Sequence, residues 1–122
     1  MLPKQMLDKL HCLNVKPYFY YDRRELVTTI CLLYDGEQFI SRGVSFCSPR
    51  DEFIKYTGRT KACGRAIKAM IGKEDSMLVR TLPVENGIYK SRYLPVLNSI
   101  EKKILKGIRD SYWSGLGTPH EN

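Results

Sequence analysis

The sequence predicts an α+β fold, a small antiparallel sheet followed by two long helices. Three observations carry this: β-branched runs split by an Asp35-Gly36 turn, a helix-start signal at Ser48-Pro49-Arg50-Asp51, and a second helical periodicity after Pro95.

Residues 4–13 place Met6, Leu7, Leu10 and Leu13 on one side of a short helix. Residues 15–21 read as a first strand, interrupted by Pro17. Residues 25–34 (ELVTTICLLY) are rich in β-branched side chains and read as a second strand. Asp35-Gly36 is a dipeptide that favours a tight hairpin turn. Residues 38–47 return as a third strand, in which Phe39, Gly43, Ser45 and Cys47 alternate with Ile40, Arg42, Val44 and Phe46.

At the helix start, Ser48 is suited to accept first-turn amides, Pro49 fits the first helical position, and Asp51 is placed to reach back. The pattern then runs to about Met70, with Gly72 as a stop. Some six turns at 1.5 Å per residue make a helix of roughly 33 Å. Its expected apolar face is Phe53, Tyr56, Thr60, Cys63, Ile67, Met70 and Ile71. Gly58, Ala62, Ala66 and Ala69 form a face of small residues. Arg50, Lys61, Arg65 and Lys68 line a basic side, with Lys55 and Arg59 beyond the small face. The small face suits either a twin helix across a two-fold axis or packing within one chain.

Beyond Gly72 the expectation is a charged loop, a strand over 77–82, a turn at Glu85-Asn86-Gly87 and a strand over 88–93. After Pro95, Leu97, Ile100, Ile104, Leu105, Ile108 and Tyr112 recur at helical spacing, giving a helix over about 96–113. Lys102, Lys106, Arg109 and Trp113 fall on its opposite side. Residues 1–122 read as one domain, with 113–122 as a tail of turn-forming composition.

Composition narrows the class. Hydrophobic residues are 43% and charged residues 27%, the balance of a globular chain. The net charge of +7 points to an anionic partner. Cys12, Cys31, Cys47 and Cys63 form no C-x-x-C pair and match no zinc spacing. The first residues are broken by Lys4, Asp8 and Lys9, unlike a signal peptide, and no run approaches a membrane span. A reducing cytoplasm is therefore the expected compartment, with no membrane partner.

Catalysis needs a nucleophile, a base or a metal cluster. His11 and His120 lack activating neighbours in the sequence, and no phosphate-cradling loop motif occurs. The expectation is a binding protein with no catalytic residue, metal or cofactor. Arg109 and Trp113 stand four residues apart, on one helix face, and Tyr89, Arg92 and Tyr93 repeat the mixture. Rings to stack on a base, with guanidinium planes to hold phosphate, are what a nucleotide site requires. Gly58-Arg59 and Gly64-Arg65 repeat along the first long helix, each setting an Arg beside a close-packing position.

The stretch SRGVSFCSPRDEFIKYTGRTKACGRAIKAM, residues 41–70, combines a strand, an S-P-x-D helix start, and G-R and G-R-A along the helix. It resembles small phage and prophage proteins. With the preceding hairpin and the last helix, the layout over residues 14–113 is similar to the Thoeris anti-defence sponge family. That resemblance implies a protein that binds a cyclic ADP-ribose signal, glycocyclic ADP-ribose, made by bacterial TIR-domain enzymes, and sequesters it without cleavage. It implies assembly through the two long helices into homodimers, with hexamers in some members. Some members also hold cyclic oligonucleotides at separate sites. The family pocket takes an aromatic residue and an Arg from the last helix, with polar groups from a facing segment. Arg109 matches that Arg. Leu82 stands where a ring is expected, so Tyr89, Tyr93 or Trp113 would substitute, and Arg92 and Arg59 complete the expected ligand set. Two other readings stay open: a basic nucleic-acid-binding phage protein, and an inhibitor that docks a host protein on an exposed helix face.

Overall fold

The computed structural model describes residues 2–23, 26–49, 51–72, 77–78, 84–85, 88–89 and 98–115. Of 77–78, 84–85, 88–89 and 109–115 it describes the backbone alone. The elements are α1 (Lys4–Leu13), β1 (Lys16–Asp22), β2 (Thr28–Tyr34), β3 (Phe39–Phe46), α2 (Lys55–Gly72), β4 (Met77–Leu78), β5 (Val84–Glu85), β6 (Ile88–Tyr89) and α3 (Ser99–Gly115). This is an α+β arrangement; the expected first helix and the first and third strands lie within a residue of where the sequence puts them, and the second strand begins at Thr28, three residues later than expected.

The sheet is an antiparallel meander in the order β1-β2-β3-β4. Its register is set at Asp35, whose amide donates to the Gln38 carbonyl at 3.1 Å. The Asp35 carboxylate accepts from the amides of Glu37 and Gln38 at 2.8 and 2.9 Å. Gly36 takes φ +102°, a conformation that glycine adopts without strain. Pro17 pairs with Leu33 on β1, the edge strand, where a missing amide is tolerated.

One expectation about β3 is corrected. Leu33 pairs with Ser41 while Tyr34 pairs with Phe39, so Ile40 is an extra residue, a β-bulge. The bulge breaks the simple alternation. Ile40 joins Cys31 and Leu33 in one core cluster, and Phe39 packs with Leu32, Tyr20 and Tyr34 in another.

The faces of α2 are also corrected. Its buried residues are Gly58, Ala62, Cys63, Ala66, Ile67 and Ala69, so the small-residue face lies on the chain's own sheet. Gly43 makes this possible: a Cβ there would run into the backbone of Ala62 and Ala66. The Ser41 hydroxyl donates to the Ala66 carbonyl at 2.8 Å and pins the contact. Tyr56 and Ile71, assigned to the apolar face, are 48% and 60% exposed. The helix follows the smallest residues because the sheet beneath offers a glycine and serines, which admit close backbone approach.

Nor does α2 open at Ser48. The Ser48 carbonyl accepts from the Asp51 amide at 3.0 Å, a turn, and the helix begins at Lys55. Helix nucleation is unfavourable without burial, and the first buried position of α2 is Gly58. At 1.5 Å per residue its 18 residues span ~27 Å, shorter than expected.

The opposite sheet face buries Ile30, Val44 and Phe46 against Ile104, Leu105 and Ile108 of α3. The sheet thus lies between α2 and α3. Asn98 and Glu101 open α3 with a reciprocal box: the Glu101 amide donates to Asn98 Oδ1 at 2.8 Å, and the Asn98 amide donates to Glu101 Oε1 at 3.0 Å. Arg42 reaches the same carboxylate, Nε to Oε2 at 3.0 Å. β4 pairs with β3 at Ser41 and Arg42, and β5 and β6 form a separate hairpin. The remainder of the expected strand over 77–82, and of that over 88–93, lies outside the described residues, as does the tail beyond 115.

Candidate ligand-binding surface

The alternation of β1 puts Phe19 and Tyr21 on the α2 side of the sheet, beside the first two turns of that helix. Lys55 and Arg59, four apart, share the helix face above them. The Arg59 guanidinium carbon lies 5.5 Å from the Phe19 ring centre and 6.0 Å from that of Tyr21. Its Nε donates to the Tyr21 hydroxyl at 2.7 Å, which fixes the plane of the group. Lys55 Nζ lies 5.6 Å from the Tyr21 ring. Tyr21 meets Phe53 edge-on at 5.8 Å, and Arg23 covers the Phe53 ring at 5.5 Å. Three rings and three cations therefore form a continuous ladder along the β1 edge. Each cation is attracted to the negative face of a ring, so positive charge and partly exposed aromatic rings stand side by side along β1.

Phe53 also walls a cleft of about 360 Å³ at the start of α2. Thr29, Ser45, Thr57, Gly58 and Lys61 line it, and Asp51 and Glu52, both exposed, stand at its rim. Cys47 lies beside them: burial and the Asp51 carboxylate push its thiol pKa up, and Lys61 opposes them. Further along α2, Lys61, Arg65 and Lys68 border a second, more open groove with Ile104, where Arg65 donates to the Val44 carbonyl at 2.8 Å.

Of the expected ligand residues, Arg59 is placed in the ladder. Arg109 and Trp113 lie on α3 and Tyr89 on β6, with side chains outside the described residues; Arg92 and Tyr93 lie wholly outside. The sheet separates Arg59 from the core contacts of α3, since Ile104, Leu105 and Ile108 pack on the other face. Phe19, Tyr21 and Arg23 were not singled out from the sequence, and Phe53 and Lys55 were read there only as residues of helix faces. The usable signal was the aromatic run PYFYY at 17–21, because strand alternation must set Phe19 and Tyr21 side by side.

Among the described residues no cluster of His, Cys, Asp and Glu could hold a metal ion, and no helix is long and apolar enough to cross a membrane. Comparison with protein-family models, with curated proteins and with solved structures returned no match.

Proposed function

We propose that this chain is a phage-type sponge that binds and sequesters a small cyclic nucleotide, a cyclic ADP-ribose signal, without cleaving it, and so blocks TIR-based Thoeris immunity. The observation that carries the reading is the Arg59 guanidinium held over Phe19 and Tyr21 beside Lys55 and Phe53. A cyclic ADP-ribose presents an adenine ring and two phosphates, and the ladder offers a stacking surface flanked by charge-assisted donors. A net charge of +7 supports an anionic ligand. Tight sequestration, at nanomolar affinity or about −12 kcal/mol, needs more enclosure than an open ladder gives. A second copy of the chain, with Arg109 and Trp113 of α3, would supply it in a homodimer or higher oligomer.

The test is capture and release. The purified protein is incubated with a lysate holding the TIR-derived signal, washed and heated. Intact cyclic ADP-ribose in the released fraction supports sequestration. Linear ADP-ribose alone indicates hydrolysis, and no released nucleotide removes the reading.

A second reading, a basic nucleic-acid binder, is favoured by the groove bordered by Lys61, Arg65 and Lys68. Duplex binding would weaken steeply with salt as counterions are released, whereas one small nucleotide would show a shallow dependence.

A further inference from the structure

We propose that β1 is a dimerisation edge, on which a second copy of the chain pairs antiparallel through the same strand. β1 is the outermost strand of its sheet, and among the described residues no strand pairs with its outer side. Such an edge presents a row of main-chain donors and acceptors to another chain. An open edge alone names no partner. The sequence of this strand does.

β1 reads Lys16-Pro17-Tyr18-Phe19-Tyr20-Tyr21-Asp22. Laid antiparallel against itself about Phe19, it sets Lys16 opposite Asp22, Pro17 opposite Tyr21, Tyr18 opposite Tyr20 and Phe19 opposite Phe19. Both ends then pair opposite charges, and every position between pairs a ring with a ring or with proline. Cross-strand pairs of this kind stabilise neighbouring strands. Moving the axis to Tyr18 or Tyr20 loses both charge pairs. A one-residue slip would set the α2 face of one sheet level with the α3 face of the other. One register is therefore self-complementary. Asp22 already has an interaction within its own chain, and a carboxylate accepts from more than one donor.

Pro17 fixes which residues point outward. It has no amide, so it belongs where an amide would point away from β2. By alternation, the amides and carbonyls of Phe19 and Tyr21 point outward too. In the self-complementary register the two Phe19 residues exchange both bonds, and each Tyr21 amide meets the Pro17 carbonyl of the other copy, about four bonds in all. The only donor each copy lacks is the one that proline cannot supply.

The faces fit as well. Tyr18 is 50% exposed and would be covered by Tyr20 of the second copy. On the opposite face α2 lies over β2 and β3, against Thr29, Ser41 and Gly43. Two paired β1 strands would therefore floor a trough between two α2 helices, with the Phe19, Tyr21, Lys55 and Arg59 of each copy along it. The trough deepens the nucleotide reading and rests on it for its ligand, whereas the strand pairing needs no ligand.

The experiment reads mass and register separately. Light scattering on the full chain without nucleotide, at millimolar concentration, should give twice the chain mass. Lys16→Asp, at an exposed position, sets like charges opposite Asp22 at both ends. It should weaken dimerisation roughly tenfold or more, with an unchanged circular dichroism spectrum. In a background of Cys12→Ser and Cys47→Ser, Tyr18→Cys chains are mixed with Tyr20→Cys chains under mild oxidation. A disulfide between positions 18 and 20 is expected by peptide mass spectrometry, because facing positions outside the hydrogen-bonded pairs lie within disulfide reach. A single-chain mass throughout, or a dimer that Lys16→Asp leaves as tight and that yields no such disulfide, overturns the proposal. A dimer paired through β1 that captures no cyclic ADP-ribose keeps the edge and removes the sponge. Capture by a chain that pairs elsewhere, or not at all, keeps the sponge and removes the edge.

Discussion

The Arg42 guanidinium and the Glu101 carboxylate join β3 to the first turn of α3 through an ion pair whose side chains are 5% and 0% exposed. Glu101 holds two duties at once. It pairs with Arg42, and it accepts the Asn98 amide that opens the helix. The charge that caps α3 is therefore also the one that seats it on the sheet.

Such pairs are costly to halve. Removing one partner leaves the other charged and buried, whereas exchanging both for apolar groups is often neutral or better. Arg42→Met should destabilise the fold by ~3 kcal/mol or more, read as a lower urea midpoint. Arg42→Met with Glu101→Leu should recover much of that, short of the roughly 1 kcal/mol carried by the cap. A double variant as weak as the single one would mean that the pair does more than compensate its own charges.

The glycines divide by what lies above them. Gly43→Ala must force α2 off the sheet, since the obstructing atoms are backbone atoms of Ala62 and Ala66. A loss of at least ~3 kcal/mol is expected. Gly64→Ala would meet only the flexible end of Met6, at 3.6 Å, and Gly107→Ala would meet nothing within 4 Å. Both should gain up to ~1 kcal/mol from helix propensity. Thermal denaturation of the three variants checks the order.

The contrast between these glycines explains what could be read from the sequence. Local chemistry was legible: the Asp35-Gly36 turn and the 10-residue α1 depend on neighbours in the chain. The start of α2 was not. Ser48-Pro49-Arg50-Asp51 has the chemistry of a cap, but a helix persists only where burial supports it, and that begins at Gly58. The choice of buried face was equally non-local, because Ala62 and Ala66 became the core positions only once Gly43 and Ser41 lay beneath them. At the candidate site, Arg59 was named from the sequence but its ring partners were not, since pairing Phe19 and Tyr21 with α2 depends on how the helix crosses the sheet.

The thiols should differ in reactivity because their surroundings do. Cys12 is exposed, while Cys31 and Cys63 are buried. Burial pushes the Cys31 thiol well up, reinforced by its hydrogen bond with Cys63. Iodoacetamide under native conditions should label Cys12 first and Cys31 only on unfolding. For Cys47 the sign is set by its neighbours: a raised pKa means less thiolate at a given pH. Asp51→Asn removes a raising influence and should speed its labelling at pH 8, whereas Lys61→Met removes the lowering one and should slow it. Peptide-resolved mass spectrometry against time gives both rates.

Arg59 and Arg109 test the proposed function from the two sides of the sheet. Arg59→Ala removes the cation between Phe19 and Tyr21 and the 2.7 Å bond to the Tyr21 hydroxyl. The stability loss should stay near 1 kcal/mol, the scale of a partly exposed cation–ring contact. Retention of cyclic ADP-ribose should fall by roughly tenfold or more if the ladder carries the base. Arg59→Lys keeps the charge but loses the guanidinium plane, so it should restore stability better than retention. Arg109→Ala should abolish retention with the oligomer intact by light scattering. Retention lost in Arg109→Ala alone would move the ligand to α3 and leave the ladder a structural feature. Loss in Arg59→Ala alone would put the ligand on the β1 edge, and loss in both would require a site that a second copy completes.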